Sequence, residues 1–153
     1  MWDVVVIGSG FAGSLLARLL KLQGRDVLLV ERGAHPRFSL GESSTPLAAL
    51  SLERLARCYD QPDLRSLATH GQWCRDLPML ERGLKRGFSF YRHTPGRSYQ
   101  NSEVNESRFL VAASPDAETA DCQWLRSDVD AHLVAQAVAV GVEYCDRSEV
   151  MAV

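Results

Sequence analysis

An α/β fold is what this sequence predicts: a parallel sheet with helices packed on it, incomplete within the chain, and interrupted by an inserted irregular, partly antiparallel segment. Three observations carry the prediction. The β-branched run Val4-Val5-Val6-Ile7 is followed, within about thirty residues, by a leucine-rich helical pattern and a second apolar run, Val27 to Val30. Near the far end an alanine-rich helical pattern leads into another short apolar run, Val142 to Cys145. Between the two, residues 71 to 107 are polar and almost aperiodic.

Each element has its own local reason. Val4 to Ile7 reads as a strand buried on both faces, as central strands of parallel sheets are, and Gly8 ends it. From Phe11 to Gln23 the residues Leu15, Leu16, Leu19, Leu20 and Leu22 recur at helical spacing, with Gly24 as the stop. With Val27 to Val30 this makes a βαβ unit over residues 1 to 33, with a right-handed crossover. Residues 31 to 46 hold Gly33, Pro36, Gly41 and Pro46 and read as an ordered loop. A helix is predicted from Pro46 or Leu47 to about Cys58, with Leu47, Leu50 and Leu55 on one face, and a shorter one over Asp63 to Thr69. Phe88 to Tyr91 and Phe109 to Ala113 read as short strands. Ser127 is the expected N-cap, with Asp130 at the capping-box position, of a helix to about Val140 that Gly141 closes. Val142 to Cys145 is expected to join the first sheet beside the second strand, and Glu149 to Val153 to begin another.

Composition narrows the function. At 153 residues, 46% hydrophobic and 24% charged, the chain can bury a real core, which argues against disorder. A formal charge of -2 gives no electrostatic reason to expect nucleic acid or an anionic membrane as partner. Cys58, Cys74, Cys122 and Cys145 are scattered without metal-ligand spacing and read as reduced, buried thiols. Without a signal-peptide pattern or an apolar run long enough for a span, the expectation is a cytoplasmic protein with a small-molecule ligand.

Gly8-Ser9-Gly10-Phe11-Ala12-Gly13 is a GxGxxG motif between a strand and a helix, and Glu31 follows Gly8 by 23 residues at the end of the second strand. Gly8 permits the tight turn, Gly10 the close approach of a pyrophosphate, and Gly13 close helix-to-sheet packing, while the first N–H groups of the helix, beginning at Phe11 and Ala12, face the anion. Glu31 accepts from ribose hydroxyls and disfavours NADP through like charge. This is a Rossmann-like dinucleotide site, and NAD and FAD both satisfy it.

The choice between them comes from a resemblance. Asp3 through Gly13, then Glu31-Arg32-Gly33, His35-Pro36-Arg37-Phe38 and Gly41-Glu42-Ser43-Ser44-Thr45-Pro46, resemble the start of the flavin-dependent halogenase and FAD monooxygenase superfamily, tryptophan-halogenase-like in type. Gln123-Trp124-Leu125-Arg126-Ser127-Asp128-Val129-Asp130 is similar to the segment that precedes a helix near the adenine half of FAD. The resemblance spans residues 3 to about 150. It implies FAD as cofactor, with Gly8, Gly10, Phe11, Ala12, Gly13, Glu31, Arg32, Gly41, Glu42, Ser43, Gln123 and Arg126 as its site. It divides the chain into the βαβ unit, a flavin loop and helix over 34 to 60, a partial substrate-side insertion over 61 to 120, and a return to the FAD domain over 121 to 153. Two bland readings stand beside these roles: Arg126 as a surface arginine paired with Asp128 or Asp130, and Glu42 as a loop carboxylate without flavin contact.

The implied activity is oxidation or halogenation of an aromatic or carrier-bound substrate through a flavin hydroperoxide, with a separate flavin reductase as a partner. Lys85, in Gly83-Leu84-Lys85-Arg86-Gly87, lies where the resemblance expects the lysine that handles hypohalous acid, although a Lys-Arg pair between glycines also reads as a solvated turn. The tryptophan-isoleucine-proline-tryptophan hallmark of tryptophan halogenases is absent from the chain. The alternatives are an isoprenoid reductase of the geranylgeranyl type, which shares the early motifs, and a non-catalytic FAD-binding remnant. The pattern stops at Val153 before a second FAD segment, so the chain is expected to lack turnover by itself.

Overall fold

The computed structural model describes residues 1–111 and 114–152. In chain order the elements are β1 (Val4–Ile7), α1 (Phe11–Leu22), β2 (Val27–Val30), α2 (Pro46–Cys58), a 3-10 turn (Pro62–Leu67), α3 (His70–Asp76), β3 (Arg82–Lys85), β4 (Phe88–Tyr91), β5 (Arg108–Val111), β6 (Asp121–Trp124), α4 (Arg126–Ala139) and β7 (Glu143–Cys145). They fall into two compact units: Met1–Glu42 with Met79–Glu81 and Trp124–Val153, and Ser43–Pro78 with Arg82–Gln123.

The first unit is built on a parallel sheet of order β1-β2-β7. Val4 pairs with Val27 and Ile7 with Val30, while β7 lies beside β2 with Leu28 opposite Glu143. Val6, Val27 and Leu29 from the strands close a core with Ala17 of α1, Ala137 of α4 and Val142. Small side chains let α1 and α4 approach closely, and Arg18 spans them by donating from Nη1 to Gln136 Oε1 at 2.8 Å. Burial of a Val or Leu side chain stabilises by about 1.5–3 kcal/mol, so this face holds the sheet to its helices. The expectation that β1 is buried on both faces is corrected here. Val6 is buried, but Val5 is 50% and Ile7 57% exposed, because α1 and α4 both pack on the Val6 face.

In the second unit, α2 begins where the sequence indicates, with the Thr45 side chain accepting from Ala48 N–H and Pro46 in the first turn. Its packed face is Leu52 and Ala56, however, while Leu47 and Leu50 are exposed: the i, i+4 pair lies toward the Pro62–Leu67 turn, and the expected leucine stripe does not. The Asp63 to Thr69 helix is a 3-10 turn. The Thr69 side chain then caps α3 by accepting from Gln72 N–H, giving a helix where the sequence is polar and almost aperiodic. β4 and β5 pair antiparallel, Phe88 opposite Val111, and β3 pairs with β6. Ala112, Ala113 and Val153, the ends of two predicted strands, lie outside the described residues; Glu149 to Ala152 form no strand. Cys58 and Cys145 are exposed, so only Cys122 meets the expectation of a fully buried thiol, and all four are free. Among the described residues no helix is long and apolar enough to cross a membrane.

Candidate functional site

The glycine motif occupies the turn from β1 into α1. Gly8 has φ +97, a left-handed conformation that favours glycine, and its N–H donates to Val30 O at 2.7 Å, tying the turn to the end of β2. At Gly13 an added Cβ would lie 1.9 Å from Gly8 O, so here glycine is required by backbone-to-backbone packing. At Gly10 the atoms nearest an added Cβ are all side-chain ones: Arg126 Nη2 at 3.5 Å, Arg37 Nη2 at 3.7 Å and Asp130 Oδ2 at 3.7 Å. Gly10 is the N-cap of α1, without a side-chain cap and without an acidic residue in the first turn. The start of α1 thus presents uncapped N–H groups at a position with no side chain, bordered by two guanidinium groups that are each paired with a carboxylate, an arrangement that leaves N–H donors open to an anion. Phe11 and Ala12 follow in the first turn, Phe11 meeting Trp124 edge-on with ring centroids 4.7 Å apart.

Glu31 closes the other side and is 5% exposed. Its Oε2 accepts from Ser9 N–H at 2.9 Å, the Ser9 hydroxyl at 3.0 Å and Arg37 Nη2 at 3.1 Å, while Oε1 accepts from Gly33 N–H at 3.0 Å. Burial by itself pushes the carboxyl pKa up, but the bonds from Gly33, Ser9 and Arg37 outweigh it and take it down to about 2. Glu31 is therefore a fixed anion whose Oε1 still has acceptor capacity.

The Ser9 hydroxyl also lies 2.8 Å from His35 Nε2. With its one proton donated to Glu31, Ser9 Oγ accepts here, which places the imidazole proton on Nε2 and leaves Nδ1 an acceptor. That Nδ1, like Arg37 Nε, is buried without a hydrogen-bond partner among the described residues. Burial, and then the Arg37 charge, hold the His35 pKa below its usual value and keep the ring neutral. Gly8, Glu31, Arg32, Arg37 and Phe38 contribute to the wall of a cleft of about 530 Å³. Two orphaned buried polar atoms, a cradle at Gly10 and a fixed carboxylate beside this cleft fit the ADP half of a dinucleotide.

Arg126 opens α4. Its Nε and Nη2 each donate at 2.9 Å to the two oxygens of Asp130, which is fully buried, and Nη1 donates to Leu40 O at 2.9 Å. The expected capping box is corrected by this fork: the helix starts at Arg126 with Leu125 as N-cap, Asp130 serves the guanidinium, and the Ser127 hydroxyl turns to Asp128. Arg126 does pair with Asp130, but as a partly buried group beside Gly10 and Gly41 (φ +91), not as a surface arginine. Arg32 and Glu42 are exposed, and the main-chain carbonyl of Glu42 accepts from Trp124 N–H.

The remaining predicted residues belong to the second unit. Ser43 bridges to Gln123, and both are exposed. Lys85 ends β3 and is 6% exposed, its Nζ donating to Ser44 O and lying 4.6 Å from the centroid of the Phe88 ring. The solvated-turn alternative is thereby excluded. Ser9, His35, Arg37, Asp130 and Tyr144, whose hydroxyl is 3.5 Å from Ser9 Oγ, were not among the predicted site residues. Ser9 sits at a variable position of the motif; His35 and Arg37 lie in the loop whose fold brings them back to Glu31; only Asp130, four residues after Arg126, had a readable signal.

Residues 3–153 match the family model described as FAD dependent oxidoreductase. The chain belongs to that family. It is 31% identical over 149 residues to a monodechloroaminopyrrolnitrin halogenase of Pseudomonas fluorescens, covering 97% of this chain and 25% of that protein. It is 33% identical over 143 residues to a 1H-pyrrole-2-carbonyl-[peptidyl-carrier protein] brominase of Pseudoalteromonas luteoviolacea, covering 94% and 28%. A crystal structure of the halogenase PltM in complex with phloroglucinol and FAD superposes with a TM-score of 0.79 at 27% identity, covering 99% of this chain and 29% of that one. The fold is Rossmann-like, and the chain spans about a quarter of the length of the curated relatives it matches.

Proposed function

We propose that this chain supplies the FAD cradle and the working lysine of a flavin-dependent halogenase acting on an aromatic or carrier-bound substrate, with reduced flavin delivered by a separate reductase. The cradle is Gly8, Gly10 and Gly13 with the first turn of α1, Glu31 for the ribose, and Arg37 and Arg126 for the pyrophosphate. When bound, FAD supplies the oxidising equivalent drawn from molecular oxygen. Glu31, already ionised, accepts from ribose hydroxyls; His35 Nδ1 offers a neutral acceptor beside it; the two guanidinium groups, each paired with a carboxylate, offer their remaining N–H donors to phosphate oxygens.

The observation that carries the halogenating version is the burial of Lys85. A lysine is rarely buried without a task, and this one is held by a carbonyl and an aromatic face. An ammonium has three N–H donors, of which the Ser44 carbonyl uses one. A free donor holds the oxygen of hypohalous acid while the halogen adds to an aromatic carbon; the ring loses its proton, and the oxygen leaves as water. The halogenase and brominase names of the relatives support this reading over the reductase alternative.

The test is Lys85→Met in the full reading frame, supplied with FAD, a reductant, oxygen and halide. Halogenated product should fall at least a hundredfold while flavin binding and oxygen consumption persist. Oxygenated product formed at the same rate without halide, or product unchanged by the substitution, would refute it.

A further inference from the structure

A second buried charged group lies on the strand pair that carries Lys85. Gly83 of β3 stands against Gln123 of β6: a Cβ added at Gly83 would lie 3.1 Å from Gln123 Cβ. Two residues along each strand on the same sides are Lys85 and Asp121, 6% and 7% exposed. Asp121 Oδ2 is buried without a hydrogen-bond partner among the described residues. A native buried carboxylate oxygen left unsatisfied calls for an explanation, and in a dry site its nearest compensation is a cation. Burial pushes the Asp121 pKa up, and the Lys85 charge pulls it back, so the two groups feel each other. The charges of Arg82 and Asp121 also reach Cys122 of β6, and burial, with Cys74 adding to it, pushes the Cys122 thiol up to about 12.

We propose that Asp121 is the positioning residue for Lys85: its unpartnered carboxylate, carried by the strand that pairs with β3, is the counter-charge that holds and aims the amine. This rests on the reading of Lys85 given above.

The experiment compares Asp121→Asn, Asp121→Glu, Lys85→Met and the Lys85→Met/Asp121→Asn double variant in the full reading frame. Asp121→Asn should lower halogenated product per oxygen consumed about tenfold with flavin binding unchanged, and Asp121→Glu should restore part of it. The acid limb of that ratio, set by protonation of Asp121, should disappear in Asp121→Asn. Acetylation of Lys85 at pH 7, followed by peptide mapping, should run several-fold faster in Asp121→Asn than in the wild type, and in Lys85→Met the Asp121 change should have no further effect on product. Unchanged product ratio and unchanged Lys85 acetylation would overturn the proposal, as would a loss that Asp121→Glu shares in full. If Lys85→Met itself keeps wild-type product, the reading of Lys85 fails, and the acetylation rate still decides whether Asp121 governs the amine.

Discussion

Gly13→Ala puts the packing argument to its sharpest test. The added methyl would sit 1.9 Å from Gly8 O and 3.1 Å from Gly8 C, with Val6 Cγ1 at 3.5 Å. The first two are backbone atoms of a turn held by the Gly8 N–H bond to Val30 O, so no side chain can swing aside. The start of α1 must separate from the turn by about 1 Å before the contact becomes tolerable. That displacement loosens the seat of Ala17 against Val6 and stretches the 2.9 Å bond from the Ser14 hydroxyl to Ser9 O, both in a buried region. Overpacking of this kind costs typically about 1–3 kcal/mol, and an unyielding backbone clash belongs at the upper end or beyond. For a chain of this length, about 3 kcal/mol lowers Tm by roughly 6–12 °C. Thermal unfolding followed by circular dichroism reads the shift directly. A Tm within about 2 °C of the wild type would show that the turn and helix can part freely, and the account of Gly13 would be wrong.

Other consequences follow from the charged groups. Arg126→Ala leaves Asp130 buried without its cation and should destabilise by about 3 kcal/mol, whereas replacing both residues with apolar ones should cost less; chemical denaturation of the single and double variants distinguishes this from a simple loss of contacts. Glu31 has its folded pKa depressed to about 2 from the usual 4.5, so its contribution is present above pH 4.5 and is lost as pH falls toward 2. That contribution is at most about 3 kcal/mol, and Glu31→Gln should flatten the stability profile across this window. His35→Ala removes the acceptor Nδ1 and should weaken FAD binding by up to about tenfold without altering the glycine turn, a change that fluorescence titration would register.

How far the sequence carried depended on whether a feature is local. Strand, glycine turn, helix, strand and Glu31 are written in adjacent residues, and β1, α1, β2 and β7 lie as read. Features that depend on what packs where did not follow. Val5 and Ile7 are as apolar as Val6, yet only one side of β1 meets α1 and α4. Leu47 and Leu50 are exposed, and the buried face of α2, which packs against the neighbouring turn, is Leu52 and Ala56 instead. Ser127 and Asp130 carry the letters of a capping box, but the buried fork between Arg126 and Asp130 is the stronger interaction and sets the helix start two residues earlier. The Ser9, His35, Arg37 and Glu31 cluster joins residues up to 28 apart through a folded loop, which no spacing rule describes. Lys85 was placed by resemblance; its burial beside Phe88 and Ser44 is visible only in three dimensions.

The central claim is that the turn around Gly10 seats the pyrophosphate of FAD, and the direct measurement is FAD binding by the wild type and Gly10→Ala. The atoms nearest an alanine methyl at Gly10 are side-chain ones, none closer than 3.5 Å, so the fold should melt as the wild type does. The same methyl occupies the space a pyrophosphate needs. The account predicts flavin retained through gel filtration by the wild type and lost from Gly10→Ala at unchanged Tm; equal retention by both proteins, or by neither, would contradict it.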